Sequence, residues 1–371
     1  MSGNKRFIIS GGGTGGHIFP ALSIAGELRR RIPECEILFV GAQGRMEMER
    51  VPAAGYEIKG LPVMGFDRRN PLRNFKVVFH LVQSLLKARE IVSEFKPDVA
   101  IGVGGYASGP TLKAAQRMGV PTVLQEQNSY AGVTNKQLGS AARRICVAYE
   151  GMEKFFPKEK LVMSGNPIRE VLSHPATEEQ KAQALSYFGL TPGRKHLLIV
   201  GGSLGSGTLN RAVQHWIQDG CPEGEEVELI WQCGKYYKKD IDAFMEAHPG
   251  LKGIRHYDFI GRMDLAYAAA DVVVSRSGAS TVSELCAMGK ATVFVPSPNV
   301  AEDHQTHNAM ALVRKEAAML VKDNEAIDEL LPTAIALLNS PERREKLRNN
   351  ARAMALTDAA QVICDEIYKL V

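Results

Sequence analysis

Two glycine-rich loops and one densely polar segment hold most of the residues in this chain that could do chemistry. The first loop, Gly11-Gly12-Gly13-Thr14-Gly15-Gly16-His17, follows a short apolar run. Gly11, Gly13 and Gly16 fit G-x-G-x-x-G, a pattern that lets backbone approach a phosphate at the start of a helix. The support that a dinucleotide site needs beyond the loop is missing. The next apolar run ends in Gly41-Ala42-Gln43, where a ribose-binding acid belongs. No Gly-Lys-Ser/Thr follows the glycines either, as a Walker loop needs. What remains is a loop for a polar ligand, with His17 at its helix-entry end. An imidazole can accept a hydroxyl proton near neutral pH; an ordinary structural hydrogen bond suits it equally.

The second loop, Gly201-Gly202-Ser203, repeats the device, and Ser275-Arg276-Ser277-Gly278-Ala279-Ser280-Thr281-Val282-Ser283-Glu284 follows later. A small polar loop opening a helix offers free N–H groups and a positive dipole end, which suit a diphosphate. Thr281 and Glu284 stand at capping-box spacing, and the alternative for Glu284 is a carboxylate on a ribose diol. Asn299–Asn308 is polar throughout and follows the apolar run Ala291–Val295. Hydrogen bonding to a polyhydroxyl ligand is favoured there, with a solvated helix start as the alternative. Asp303, His304 and His307 lack a recognised metal-ligand spacing. Finally, Lys59–Arg89 carries Lys59, Arg68, Arg69, Arg73, Lys76, Lys87 and Arg89 against the single acid Asp67, interleaved with apolar residues. Basic charge beside an apolar face reads as a membrane-surface segment; the alternative is a helix packing its apolar side on a sheet.

Elements that could position these loops recur in a regular order. Arg6–Ser10, Ile37–Val40, Asp98–Val103 and Val120–Leu124 read as strands, with a helix over Pro20–Arg31. The pattern restarts with strands at His196–Val200, Glu228–Gln232, Asp271–Ser275 and Ala291–Val295, and a helix near Thr208–Ile217. Alternation of this kind means β-α-β units and parallel sheets. Two halves that each open with strand, glycine loop and helix predict two Rossmann-like domains, divided between Gly165 and Pro192 in a stretch with a polar run from Thr177 to Gln183. Beyond Ser340-Pro341 the chain reads as helical, with Asp358 and Gln361 at capping-box spacing before a last helix. The expected domains are 1–166, joined by the C-terminal helix 352–371, and 167–351.

Composition bounds the partners. The 371 residues are 45% hydrophobic and 23% charged, as in a folded globular protein. A net charge of +4 argues against wholesale nucleic-acid binding. No apolar run is long enough to cross a bilayer, and Met1–Ser10 does not read as a signal peptide. The six cysteines are scattered without a C-x-x-C pair, so reduced, buried thiols are expected.

Taken in order, these segments resemble a bacterial family that transfers N-acetylglucosamine from its UDP donor to lipid I, the undecaprenyl-pyrophosphoryl-N-acetylmuramyl-pentapeptide. The matching residues are Gly12–His17, Arg45-Met46-Glu47, Gly104–Pro110, Glu126-Gln127-Asn128, Gly165–Arg169, Gly201–Ser203 and Arg276–Glu284. The resemblance implies a GT-B fold, α/β with two Rossmann-like domains facing across a cleft and a C-terminal helix packed back on the first. It implies Arg169 and the backbone near Ile260 on uracil, Glu284 on ribose, and Gln305 and Asn128 on the sugar. Ser203 and Ala279, Ser280 and Thr281, continued by Val282 and Ser283, would hold the diphosphate. Thr14, Gly15 and Gly16 would meet donor and acceptor, and Gly104, Gly105 and Tyr106 the acceptor. His17, as base, and Glu126 become the catalytic candidates. Many relatives carry His where Gln125 stands, and some carry Gln-Gln where this chain has His304-Gln305.

The reaction so implied is an inverting transfer to the C4 hydroxyl of lipid I, giving lipid II, with no obligatory metal or cofactor. The chain would sit peripherally on the cytoplasmic side of the cell membrane, touching anionic lipid through Lys59–Arg89, with cell-wall synthesis proteins as partners. Three rivals share features of this sequence: another UDP-sugar enzyme of the same fold, such as a glycolipid glycosyltransferase or an epimerase; a non-catalytic nucleotide-sugar sensor; and, least of all, a dehydrogenase.

Overall fold

The computed structural model describes residues 4–64, 74–202, 204–222 and 224–371. Ser203 and residues 65–73, which include Asp67, Arg68, Arg69 and Arg73, lie outside them. The chain forms two compact units, residues 1–169 with 356–371, and residues 170–355.

The first unit runs β1 (Arg6–Ser10), α1 (Gly15–Arg31), β2 (Glu36–Ala42), α2 (Glu47–Ala53), β3 (Glu57–Leu61), α3 (Asn74–Phe95), β4 (Val99–Gly102), α4 (Ser108–Arg117), β5 (Thr122–Glu126), α5 (Val133–Gly139), β6 (Arg144–Val147) and β7 (Leu161–Met163). Its described strands form one sheet in the order β3-β2-β1-β4-β5-β6-β7, every pairing parallel. Strand residues are apolar on both faces because helices cover both. Phe7 and Ile9 turn to one layer, with Ile24 and Leu28 of α1; Ile8 turns to the other, with Ile91 of α3 and Leu112 of α4.

The second unit runs α6 (Glu178–Phe188), β8 (Lys195–Val200), α7 (Gly207–Gln218), β9 (Val227–Gln232), α8 (Lys238–Glu246), β10 (Ile254–Tyr257), α9 (Met263–Ala269), β11 (Val272–Ser275), α10 (Ala279–Ala287), β12 (Ala291–Phe294), α11 (His304–Val313), β13 (Met319–Leu320), α12 (Ala326–Leu338) and α13 (Pro341–Ala353). Its described strands order as β10-β9-β8-β11-β12-β13, again all parallel. The last helix, α14 (Ala359–Tyr368), belongs to the first unit. There Ile363, Cys364 and Ile367 join the core beneath α1, and Arg31 of α1 pairs with Asp365.

In each sheet the strand order reverses direction at one place, between β1 and β4 and between β8 and β11. Chains diverge there beyond the carboxyl ends of the strands, and the crevice they leave is where this architecture binds ligands. Both glycine-rich loops of the sequence stand at these two points.

Several local expectations give way. Helix α1 begins at Gly15 and runs through Pro20, so Gly15, Gly16 and His17 form its first turn rather than a loop before it. The polar stretch from Thr177 is helical: Thr177 caps α6, its Oγ1 accepting from the Gln180 N–H at 3.2 Å while Gln180 Oε1 accepts from the Thr177 N–H at 2.8 Å. Neither of the two capping boxes read from spacing exists. Gly278 is the N-cap of α10, which puts Thr281 inside the first turn, and Asp358 precedes α14 without a side-chain cap bond. The six cysteines are free thiols, all buried except the half-buried Cys221.

Candidate active site

In the first unit, the loop after β1 and the loop after β4 are built against each other, backbone on backbone. A Cβ on Gly105 would lie 2.4 Å from the Gly12 carbonyl oxygen, and Gly105 has φ +86. Only glycine meets both demands. Gly104 does the same for His17: a Cβ there would fall 2.9 Å from the imidazole Nε2. Tyr106, the third residue of this loop, is exposed.

His17 is half-buried in the first turn of α1. Its Nδ1 lies 3.0 Å from the Gly12 carbonyl oxygen and 3.3 Å from Thr14 Oγ1. A carbonyl can only accept, so a hydrogen bond to it needs the hydrogen on Nδ1, the tautomer that has its basic lone pair on Nε2, the nitrogen beside Gly104. Thr14 itself is the N-cap of α1.

Strand β5 continues through Gln125 and Glu126, beyond the end expected at Leu124. Glu126 is 2% exposed, and both its oxygens accept hydrogen bonds. Oε1 takes the N–H and Nδ2 of Asn128 at 3.1 and 3.2 Å; Oε2 takes the Gly132 N–H at 3.0 Å and Asn135 Nδ2 at 2.9 Å. A carboxylate so saturated shapes the loop that carries Asn128. Gln125, fully buried, donates to Asn166 Oδ1 at 3.0 Å, and Asn166 Nδ2 returns to the Gln127 carbonyl at 3.0 Å. Gln127 in turn donates to the Gln125 side chain and to the Val103 carbonyl at 2.8 Å. This chain of amides binds the ends of β4 and β5 to the segment before Arg169. Arg169 itself is half-buried at the end of the first unit.

In the second unit, Arg276 organises the carboxyl edge of the sheet. Its Nη2 donates to Ser206 Oγ at 2.7 Å; its Nη1 donates to the Val295 and Pro296 carbonyls at 2.9 and 3.1 Å and to Asp323 Oδ1 at 2.5 Å. Ser206 caps α7, accepting from the Leu209 N–H at 3.3 Å, and Asp323 also accepts from Thr208 Oγ1 at 3.1 Å. One guanidinium thus joins the segments after β8, β11, β12 and β13. Arg276 was part of a recognisable motif, but no spacing signalled this role.

Helix α10 starts immediately beyond, its N-cap Gly278 extended and without a side-chain bond. The N–H groups of Ala279, Ser280 and Thr281 have no intrahelical acceptor. Ser280 Oγ is buried with no hydrogen-bond partner among the described residues. An orphaned hydroxyl beside orphaned amides at a positive dipole end is an arrangement made for an anion. Val282 continues the helix into the core, Ser283 is half-buried, and Glu284 is 9% exposed one turn along.

Gln305 opens α11 opposite. Its Oε1 accepts from the Ser297 N–H at 2.9 Å, while its backbone carbonyl accepts from Ser277 Oγ at 2.8 Å. The turn before it holds Glu302 and Asp303 at φ 54 and 50, left-handed values that cost a non-glycine residue energy. Ile260 is buried in the segment after β10. Among the described residues no three His, Cys, Asp or Glu side chains converge as a metal site.

Residues 7–147 match the glycosyltransferase family 28 N-terminal domain, and residues 196–363 match the C-terminal domain of the same family. The chain belongs to glycosyltransferase family 28. It is 54% identical to the UDP-N-acetylglucosamine--N-acetylmuramyl-(pentapeptide) pyrophosphoryl-undecaprenol N-acetylglucosamine transferase of Parabacteroides distasonis, over 99% of this chain and 98% of that one. It is 49% identical to the enzyme of the same name from Flavobacterium psychrophilum, over 99% and 98%. A crystal structure of Acinetobacter baumannii MurG aligns with a TM-score of 0.78 at 29% identity, covering 98% of this chain and 99% of that one. A UDP-GlcNAc 2-epimerase from Neisseria meningitidis, bound to UDP-GlcNAc, aligns at 0.69 with 15% identity over 98% and 100%, a likeness of fold.

Removing one partner of a largely buried ion pair costs about 3–5 kcal/mol because the other charge is left unpaired. Arg276→Met should therefore destabilise the protein by roughly that much in denaturant unfolding. Arg276→Met combined with Asp323→Leu should recover part of the loss. Additive single effects would mean that the pair does not hold the loops together.

Proposed function

We propose that the chain transfers N-acetylglucosamine from UDP-N-acetylglucosamine to the C4 hydroxyl of the N-acetylmuramyl residue of lipid I, forming lipid II. The observation that carries this reading is the start of α10. Its unpaired amides, the orphaned Ser280 hydroxyl and the buried Glu284 together make a nucleoside-diphosphate site at the switch point of the second sheet. Full-length identity above one half to relatives named for this transfer supports the choice of substrates.

In this reading Ala279, Ser280 and Thr281 take the diphosphate, with Val282 and Ser283 completing the turn and Ser203, outside the described residues, assigned to the same ligand by the resemblance. Glu284 accepts from the ribose hydroxyls, and Arg169 and the backbone at Ile260 take uracil. Gln305 offers its NH2 to the sugar, since its oxygen is already engaged by Ser297, and Asn128 is the second sugar ligand. Thr14, Gly15 and Gly16 border the reacting groups, and Gly104, Gly105 and Tyr106 the acceptor.

His17 Nε2 is the base. The acceptor C4 oxygen attacks the anomeric carbon from the face opposite UDP, its proton passes to Nε2, and the bond to the diphosphate oxygen breaks, so the α-linked donor yields a β product. Negative charge grows on the leaving UDP, where fixed amide dipoles are already aimed. We assign Glu126 a positioning role, because its oxygens hold the Asn128 loop.

A membrane-borne acceptor asks for a membrane-facing surface, and α3 supplies one. Phe79 is 68% and Leu86 65% exposed, with Leu81 and Val82 between them. Beside them an apolar groove of about 450 Å³, lined by Val77, Leu81, Leu85 and Pro110, has Lys113 and Arg117 among its walls. Apolar side chains with flanking cations favour the surface of an anionic bilayer. Among the described residues no helix is long and apolar enough to cross one. Lys59 pairs with Glu94 at 3.2 Å, which leaves it a weaker contributor than the sequence implies.

Purified protein given lipid I and UDP-N-acetylglucosamine should form lipid II; hydrolysis or epimerisation of the donor in its place would favour the rival enzymes of this fold. His17→Ala should lower kcat by about 10²- to 10⁴-fold, the worth of a general base, with UDP affinity by calorimetry unchanged. Phe79→Glu with Leu86→Glu should abolish co-sedimentation with anionic vesicles while sparing turnover of a short-chain, soluble acceptor. Undiminished vesicle binding would remove α3 from the membrane contact.

A further inference from the structure

Beneath the first glycine loop lies a carboxylate that the transfer as described does not use. Glu47 opens α2 and is 1% exposed. No ion pair reaches it among the described residues. Its Oε1 accepts from the Ala42 N–H at 3.0 Å and its Oε2 from the Gly13 N–H at 2.9 Å. It presses so closely on the loop that a Cβ on Gly12 would lie 2.1 Å from Oε1.

The Gly13 N–H and the Gly12 C=O are two ends of one peptide group. The N–H end meets Glu47, and the C=O end lies 3.0 Å from His17 Nδ1. We propose that Glu47 is a positioning residue for His17, acting through the Gly12–Gly13 peptide as a carboxylate–amide–imidazole relay. A hydrogen bond to a carboxylate is strong and polarises the amide, which makes the carbonyl at its far end a better acceptor. That carbonyl holds the hydrogen on Nδ1, keeps the lone pair on Nε2, and fixes the ring against Gly104. When Nε2 takes the acceptor proton, the imidazolium is stabilised along the same line. A carboxylate orients the histidine of a serine-protease triad in this sense by direct contact; here one peptide group stands between them.

The relay rests on His17 as the base, but its test does not need turnover. In protein labelled with ¹⁵N-histidine, the His17 signal is assigned by its loss in His17→Gln. The wild-type enzyme should show the tautomer with hydrogen on Nδ1. In Glu47→Gln, which sets an amide NH2 against one of the two backbone N–H groups, His17 should pass to a mixture of tautomers. Its kcat should fall about 10- to 100-fold, part of what a general base supplies, with KM for UDP-N-acetylglucosamine changing less than about twofold. A wild-type tautomer with hydrogen on Nε2 would overturn the relay whether or not the variant folds. An unaltered tautomer in a folded Glu47→Gln would overturn it as well. Failure of His17 as base is a separate result, read as normal turnover in His17→Ala.

Discussion

Loops beyond the carboxyl ends of a parallel sheet have no ladder to hold them, and in each unit charged side chains largely withdrawn from solvent take over that task. In the first unit Glu47 accepts from the loop after β1 and from the last residue of β2, and Glu126 accepts from the loop after β5. In the second, Arg276 donates to the segments after β8, β12 and β13. Both choices follow from what the backbone leaves unpaired. A loop with spare N–H groups needs an acceptor, one with spare carbonyls needs a multidentate donor, and only an ion satisfies several at once in so small a space.

Rigidity gained this way is the condition for the chemistry. Fixed dipoles accelerate a reaction when they need not reorganise as charge develops. The imidazole of His17 is anchored by the Gly12 carbonyl, and the segment leading into α10 by the bonds of Arg276. The close contact of Gly12 with Gly105 has the same effect from the opposite side, since backbone packed on backbone has no rotamers to lose, and Gly104 leaves room for the His17 ring. The sheet order explains why these contacts fall where they do: β1 and β4 are neighbours whose connections leave in opposite directions.

Much of this was legible in the sequence. Strands β1, β2, β4, β5, β8, β9, β11 and β12 are central or nearly so, buried on both faces, and show as short apolar runs ending in glycine or polar loops. Edge strands did not show. β3 reads Glu57-Ile58-Lys59-Gly60-Leu61, β10 carries Arg255 and His256, and β13 is two residues long; an edge needs little continuous apolar sequence. Pro20 misled as a boundary, because α1 runs through it, as α2 and α12 run through Pro52 and Pro332. Capping spacing misled at Thr281 and Asp358, while the real box at Thr177 and Gln180 lay unread inside a polar run. The pattern records compatibility, and tertiary packing decides whether the helix begins there. Glu47 and Arg276 were visible as motif members and silent as to role, since a lone charge among polar neighbours looks solvated until burial is known.

The most direct measurement is a crystal structure of the protein with UDP-N-acetylglucosamine bound. The diphosphate oxygens should accept from the N–H groups of Ala279, Ser280 and Thr281 and from the Ser280 hydroxyl, with the ribose on Glu284. A diphosphate seated away from the start of α10, with Ser280 still unpartnered, would contradict the assignment.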